Sequence, residues 1–141
     1  MVNLTPYALL FTVAAIGVSE TSYLIRARRA ASGFACPIGQ DCAVVLTSKY
    51  NHFLPFVHND ILGLIFYLVF TALAALFVLG IGQPTELMLL AEVILAGATL
   101  MSAIFTYLQW RVIKAWCFWC LMSAGTVVLL DLIMLKINFT I

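Results

Sequence analysis

Residues 61–81 read ILGLIFYLVFTALAALFVLGI and contain no charged side chain. A helix needs about 20 predominantly apolar residues to cross the hydrocarbon core of a bilayer, and this stretch has that length. Three further stretches are similarly apolar: residues 6–25, 87–110 and 115–135. They are too long for barrel strands and lack the alternating pattern of such strands. The sequence therefore predicts four membrane-spanning helices.

The composition agrees with a bilayer environment. The chain has 141 residues, of which 65% are hydrophobic and 9% charged, whereas soluble domains are about half apolar and about a quarter charged. We therefore expect an all-α integral membrane protein, a four-helix bundle that forms a single domain over residues 1–141. The net charge of +1 gives no indication of a nucleic-acid partner.

The connections between the predicted spans differ greatly in length. A short Gly-Gln-Pro-Thr turn at residues 82–85 joins the second and third spans, and residues 111–114 join the third and fourth. Residues 26–60 join the first two, and such a long segment in a compact protein is usually functional. We expect a short half-helix near residues 43–50, where apolar side chains dip into the membrane interface.

Two cysteine pairs are the main chemical signal in the chain. Cys36 and Cys42 lie in the long loop, and Cys117 and Cys120 lie in a CFWC motif at the start of the fourth span. Four spans place the long loop and the connection at 111–114 on the same side of the membrane. Two thiol pairs at one membrane face favour thiol–disulfide exchange.

The spacing of the second pair suits redox chemistry. Cys117 and Cys120 are three residues apart, so on a helix they share one face. A helix N-terminus and the nearby Lys114 both favour a thiolate, which makes Cys117 a better nucleophile or leaving group. The residues alone leave open that these cysteines are buried small hydrophobes.

The first pair lies in CPIGQDC, where Pro37 and Gly39 fit a turn that brings the two sulfurs within bonding distance. A static disulfide and a four-cysteine zinc site are alternatives, although the six-residue step from Cys36 to Cys42 fits zinc poorly. We expect no metal. Exchanging thiols need a final two-electron acceptor, and in a membrane without visible metal ligands a lipid-soluble quinone is the predicted one.

Charge and chemistry disagree about which side the cysteines face. Six of the seven basic residues fall on the cysteine side: Arg26, Arg28, Arg29, Lys49, Arg111 and Lys114. The positive-inside rule therefore places this side in the cytoplasm, whereas disulfide chemistry usually occurs outside the cytosol. The two arguments leave the orientation open.

Three motifs together resemble the vitamin K epoxide reductase family. They are CPIGQDCAVVLTSKY at 36–50, NDILGLIFY at 59–67 and WCFWC at 116–120, and the resemblance extends from Ser19 to about Ala124. It implies a four-helix bundle around a quinone pocket, with a short half-helix in the loop. Some bacterial members carry a fused thioredoxin-like domain. This chain ends at Ile141, so we expect the thioredoxin-like partner to be a separate protein.

The resemblance also implies roles for the cysteines. Cys117 and Cys120 match the active-site pair, with Cys120 next to the quinone and Cys117 attacked by a loop cysteine. Cys36 and Cys42 then carry reducing equivalents from an outside thiol protein.

The resemblance also implies two polar residues, Asn59 and Ser48, that bind the quinone. Asn59 matches the asparagine that hydrogen-bonds a quinone oxygen, although an asparagine at a span entrance also suits an N-cap. Ser48 matches the loop serine and has the alternative of a local bond to backbone. Vertebrate members carry a tyrosine where this chain has Ala124, which puts quinone-epoxide reduction in doubt.

Glu20 lies in the cysteine-facing half of the first span, where an acid is costly and tends to face the bundle interior. This position predicts that Glu20 moves protons during quinone reduction.

The predicted function is a membrane thiol oxidoreductase that passes electrons from a thioredoxin-like partner to a quinone of the ubiquinone or menaquinone type and so generates protein disulfides. A quinone or quinone-epoxide reductase of the vitamin K cycle type is one alternative, and a non-catalytic tetraspan scaffold with structural disulfides is another. The family resemblance implies an extracytoplasmic active-site face, in contrast to the charge pattern.

Overall fold

The computed structural model describes residues 3–29, 49, 52–54 and 57–140, with the backbone alone at 52–54. Four long helices form the fold: α1 (Thr5–Arg29), α2 (Asn59–Leu79), α3 (Pro84–Tyr107) and α4 (Phe118–Thr140). Within this part of the chain, all four are long and apolar enough to cross a membrane. The prediction of an all-α, four-helix integral membrane protein is confirmed.

The tight turn between α2 and α3 is built by glycine and proline. Gly80 takes a left-handed conformation (φ 69°) and caps α2, with its N–H directed at the Leu76 and Phe77 carbonyls. Gly82 also has a positive φ of 92°. Glycine adopts such angles at little steric cost, and Pro84 then opens α3 at a position where a missing N–H is harmless.

Most helix boundaries differ from the sequence prediction by a few residues, and two of the differences lie close to the cysteines or the long loop. The first helix continues four residues beyond the predicted span, to Arg29, because the backbone bonds of a helix are internal and the arginines are good helix formers. The fourth begins at Phe118 rather than at 115. Lys114 adopts a left-handed conformation (φ 56°), which interrupts the helical path before Cys117.

The helices are arranged in a ring in which each packs on its chain neighbours and α4 returns to α1. Of the described residues, most buried apolar side chains belong to one cluster centred in the half away from Cys117. We call this cluster the distal core, and its buried members are Leu10, Val13, Ala14, Tyr67, Phe70, Leu73, Ala74, Ala91, Leu95, Val127, Leu130, Met134 and Ile137. The bundle is therefore closed at that end.

The end that carries Cys117 has a smaller cluster, in which Leu24, Ala115 and Cys117 are buried. We call this region, together with the corner at 108–117 and the first turns of α2 and α4, the cysteine end. A two-stranded antiparallel ribbon, β1 (His52–Leu54) with β2 (Val57–His58), leads directly into α2. The predicted half-helix near residues 43–50 lies almost wholly outside the described residues.

Candidate functional site

A cavity of about 470 Å³ lies between α2, α3 and α4 and also touches α1. Its wall is mainly apolar, with a limited set of polar side chains. These are Thr21, Asn59, Asp60, Tyr67, Ser102, Thr106, Cys120 and Ser123. A largely apolar chamber with a few polar groups is the usual form of a small-molecule site.

The cavity brings together two residues that are 61 positions apart in sequence, Asn59 and Cys120. Asn59 is the first residue of α2, and Cys120 lies in the first turn of α4. The N-cap position of α2 is held by His58, so Asn59 does not take the capping role that was the alternative. A carboxamide and a thiol are therefore available to one ligand.

Cys117 lies one residue before α4 instead of within its first turn. Its carbonyl accepts the N–H of Leu121 at 3.0 Å, which is the backbone geometry of an N-cap residue. Its own N–H donates to the Gln109 side-chain oxygen at 3.0 Å. Cys117 is 0% exposed, whereas Cys120 is partly exposed and faces the cavity. The pair thus has one covered sulfur and one that borders the cavity.

Both cysteines are free thiols. A hydrogen bond from the Cys120 side chain lowers the pKa of the Cys117 thiol, and the backbone N–H groups of Cys120 and Trp119 act in the same direction, whereas burial opposes them. Thiolates are the reactive form in disulfide exchange. The two backbone N–H groups belong to the start of α4, which the sequence argument named, whereas Lys114 is not among the causes of the lowered pKa.

A buried ion pair ties α1 to the entrance of α2. The Arg28 Nε donates to Asp60 Oδ2 at 2.6 Å, and the N–H of Ile61 donates to the other carboxylate oxygen at 3.0 Å. The side chains of Arg28 and Asp60 are 15% and 1% exposed. Since Asp60 follows Asn59 and lines the same cavity, this pair fixes the backbone that presents the Asn59 side chain.

The middle of the cavity wall is held by Tyr67. Its hydroxyl donates to the Ser123 carbonyl at 2.8 Å and lies 3.0 Å from the Ser123 hydroxyl. The ring packs so closely on Gly17 that a Cβ atom at that position would collide with a ring carbon. Ala124 also lines the cavity, so the position that carries tyrosine in vertebrate relatives presents only a methyl group here.

Glu20 is buried between α1 and α4. The Thr126 hydroxyl lies 2.9 and 3.1 Å from the two carboxylate oxygens and 3.0 Å from the Met122 carbonyl. The next residue, Thr21, borders the cavity. Glu20 therefore faces the bundle interior, as its position in the sequence indicated.

Three predicted site residues belong to the long loop. Cys36, Cys42 and Ser48 fall outside the described residues, so their approach to Cys117 stays a prediction. Within the described ranges, no group of three or more His, Cys, Asp and Glu side chains is placed to hold a metal ion.

Three residues of the site were missed by sequence reasoning: Asp60, Gln109 and Ser123. Asp60 had a signal, because an acid directly after Asn59 at the entrance of a span is expensive without a partner. The sequence also contained a signal for Gln109, because an amide near the end of an apolar span is unusual. Ser123 had none, since small hydroxyl residues are common in membrane helices.

Comparison with known proteins identifies one family. The family model described as the vitamin K epoxide reductase family matches residues 8–135, which is most of the 141-residue chain. No curated protein and no solved structure matches the chain.

Proposed function

The chain belongs to the vitamin K epoxide reductase family, and from that premise we propose that it generates protein disulfides with a quinone as oxidant. Family membership makes it a membrane oxidoreductase of the vitamin K epoxide reductase type. The finer proposal is that electrons pass from a thioredoxin-like partner through Cys36 and Cys42 to Cys117 and Cys120, and then to the quinone. One observation carries it: Cys120 and Asn59 line the same cavity.

The cavity suits a quinone in size and polarity. Its volume of about 470 Å³ falls within the range of roughly 300–1,000 Å³ that is typical of small-molecule sites. A quinone ring is flat and apolar apart from its two carbonyl oxygens, and the wall offers polar partners at separate points. Ile65 and Val69 line the cavity and are also exposed on α2, and Gly97, which lines it from α3, is exposed as well. This side of the cavity borders the lipid and suits the long tail of a ubiquinone or menaquinone.

The proposed exchange conserves atoms and electrons at each step. A partner dithiolate reduces the Cys36–Cys42 disulfide and becomes a disulfide itself. A loop thiolate then attacks the Cys117 sulfur of the Cys117–Cys120 disulfide, and Cys120 leaves as a thiolate. The second loop thiol completes the exchange and leaves Cys117 and Cys120 reduced. This dithiol gives two electrons and two protons to the quinone, which becomes a hydroquinone, and the Cys117–Cys120 disulfide forms again.

In this proposal Asn59 stabilises the charge that develops on a quinone oxygen. A carboxamide N–H is an electrically neutral donor, and a preorganised donor in a water-poor cavity acts strongly on such charge. Ser48, which lies outside the described residues, is proposed to contact the same ligand from the loop.

Glu20 is proposed to take part in proton movement. Its hydrogen bond to Thr126 can persist in either protonation state, because a hydroxyl group both donates and accepts. Glu20→Gln keeps the size of the side chain and removes the exchangeable acid. We expect quinone reduction to slow about tenfold or more and to gain a larger solvent isotope effect, whereas an unchanged rate would remove Glu20 from the proton route.

The basic residues favour an orientation with the cysteine end in the cytoplasm. Arg26 and Arg29 are exposed at the end of α1, and Arg111 and Lys114 are exposed at the corner before α4. Lys136 is the one basic residue near the end of α4. An impermeant thiol reagent added outside sealed cells should leave the loop cysteines unlabelled. Labelling from outside would show that the cysteine end faces the exterior. The substrates of the enzyme would then be exported proteins.

Reduction of a quinone epoxide, as in vitamin K recycling, is the second candidate, and the family name favours it. The cavity wall argues against it, because Ala124 offers no hydroxyl group where vertebrate members have tyrosine. We expect purified protein to reduce a quinone much faster than the corresponding epoxide.

The experiment that tests the proposal follows quinone absorbance with purified protein and a reduced thioredoxin. Replacing Asn59 by alanine should lower kcat about 100-fold, as loss of a preorganised donor typically does. Asn138→Ala is the matched control, because Asn138 lies at the other end of the bundle and bonds Glu92. Equal effects of the two substitutions on kcat would contradict the assignment of the cavity as the quinone site.

A further inference from the structure

Gln109 is a buried amide in an unusual backbone segment. It lies in the π-helical turn Leu108–Ile113 that continues α3, and it is 1% exposed. A buried amide is costly unless it is hydrogen-bonded, and π-helical turns occur frequently at functional sites. A helix can end without a buried amide and without a π-helical turn. The presence of both at the corner between α3 and α4 therefore points to a more specific role.

The contact that Gln109 makes points to that role. Its Oε1 accepts the N–H of Cys117 at 3.0 Å, across the left-handed residue Lys114. Because Cys117 precedes Phe118, the first residue of α4, its N–H has no partner within that helix. The N–H of Cys117 is therefore held by Gln109, at the end of the preceding helix, while its carbonyl is bonded to the N–H of Leu121 in α4.

The packing around Cys117 makes this orientation consequential. Leu24 and Ala115 are buried with it, and Phe105, Ile113 and Trp119 pack against the cluster. A sulfur enclosed by apolar side chains can be reached by a second thiol only if its own backbone presents it in a fixed direction. In the described part of the chain, the Cys117 carbonyl accepts the Leu121 N–H of α4, and the Cys117 N–H donates to Gln109. Gln109 therefore supplies the backbone contact that comes from outside α4.

We propose that Gln109 is a positioning residue for the cysteine pair: it holds the Cys117 backbone so that Cys117 exchanges with other thiols and Cys120 is left to the cavity. In the step concerned, a thiolate bonds to the Cys117 sulfur, the Cys117–Cys120 bond breaks, and Cys120 takes the electron pair and then a proton. The inference rests on the proposed function for its effect on quinone turnover. The relative reactivity of the two sulfurs does not depend on any quinone.

Two substitutions separate the hydrogen bond from the shape of the side chain. Gln109→Met keeps the length and removes the acceptor, whereas Gln109→Glu keeps an oxygen at the same place. Gln83→Met is the matched control, because Gln83 is exposed at the start of α3 and its side chain makes no capping bond. The readout is the ratio of alkylation at Cys117 to that at Cys120 in fully reduced protein, measured by mass spectrometry with a small iodoacetamide.

We expect Gln109→Met to lower this ratio about tenfold, the effect of losing roughly one hydrogen bond. Gln109→Glu should keep the ratio within about twofold, as should Gln83→Met. With a thioredoxin and a quinone, Gln109→Met should lower kcat while the KM for the quinone stays within about twofold, since the cavity is untouched. A parallel loss of stability without a change in the alkylation ratio would mean that Gln109 is merely structural.

The proposal is overturned if Gln109→Met leaves the ratio unchanged or if Gln109→Glu is as impaired as Gln109→Met. Should Gln109→Met fail to fold, hydrogen exchange in the unaltered protein gives the answer. The Cys117 amide should then be protected relative to that of Trp116, and fast exchange at Cys117 would contradict the hydrogen bond to Gln109. If the unaltered protein reduces no quinone but the ratio behaves as expected, the proposed function fails and the role of Gln109 stands.

Discussion

In the distal core, side chains from all four helices meet and nearly every buried atom is apolar. Among the described residues of the cysteine end, Leu24, Ala115 and Cys117 form the buried apolar cluster. The nearby Asp60 and Gln109 are buried polar residues with specific hydrogen bonds. Lipid tails are as apolar as leucine, so membrane helices associate through close packing and polar contacts more than through hydrophobic transfer. The comparison indicates that the distal core stabilises the bundle and that the contacts at the cysteine end position the reactive groups.

The largest expected effect is on stability and comes from the distal core. Leu130 is 0% exposed, so Leu130→Ala should leave a cavity and lower the free energy of unfolding by about 2–5 kcal/mol. Leu132→Ala is the control on the same helix, because Leu132 faces outward. Unfolding in detergent measures both. The folded Leu130→Ala protein should keep its KM for quinone, and a raised KM with unchanged stability would break the division between the two regions.

A second test concerns the close approach of α1 and α2 at Gly17. A methyl group there would collide with the Tyr67 ring, so Gly17→Ala should destabilise the protein by about 1–3 kcal/mol, as overpacking does. Gly125→Ala adds the same methyl group to α4 in open space. The same unfolding measurement should show little loss for Gly125→Ala. Equal losses would mean that helix–helix contact at Gly17 is not the cause.

At the cysteine end, loss of the ion pair should affect ligand binding. Asp60→Asn leaves Arg28 without its carboxylate and loosens the backbone beside Asn59. We expect the KM for quinone to rise about tenfold, equivalent to ~1.4 kcal/mol. Removing the charge from both partners, Arg28→Gln with Asp60→Asn, should recover part of this loss, because no unpaired charge remains.

The control for the ion pair is Arg29→Gln, since Arg29 is exposed on the adjacent helix position. A double-mutant cycle measures the coupling between Arg28 and Asp60. If both single substitutions leave the KM unchanged, the pair does not position the cavity wall.

The smallest expected effect is a shift in the pH dependence of alkylation at Cys117. The Cys120 side chain donates a hydrogen bond that lowers the pKa of Cys117, so Cys120→Ala should raise that pKa. The alkylation rate of Cys117 should then increase only at higher pH than in the unaltered protein, because less thiolate is present at a given pH. Met122→Ala, an exposed position on the same helix, is the control. A shift to lower pH would contradict the assigned donor.

Hydropathy alone was enough to find the four helices, because an apolar stretch of the required length has few other stable states. The Gly-Gln-Pro-Thr sequence at 82–85 predicted the turn after the second span, since these residue types determine the local backbone. The turn begins earlier than predicted, at Gly80, which the prediction placed inside that span. The start of α4 was wrong by three residues. The left-handed backbone of Lys114 and the π-helical turn before it have no hydropathy signal, because they affect the path of the backbone rather than its polarity.

Within the site, the motif resemblance singled out Asn59 and Cys120, and both line the cavity. The ion pair of Arg28 with Asp60 and the bond between Tyr67 and Ser123 could not be read from the sequence. Each joins residues at least 32 positions apart, and such partners become neighbours only after the helices pack. The hydrogen-bond partners of these side chains are therefore decided by tertiary structure.

The most direct test of the central claim is a single-turnover measurement. Protein with Cys36→Ser and Cys42→Ser is reduced chemically, freed of reductant and mixed with excess quinone. A Cys117–Cys120 dithiol that delivers two electrons should reduce about one quinone per protein and then stop as the disulfide, and Cys120→Ala in the same background should reduce none. Quinone reduction that persists without Cys120, or its absence in the presence of the intact dithiol, would contradict the account.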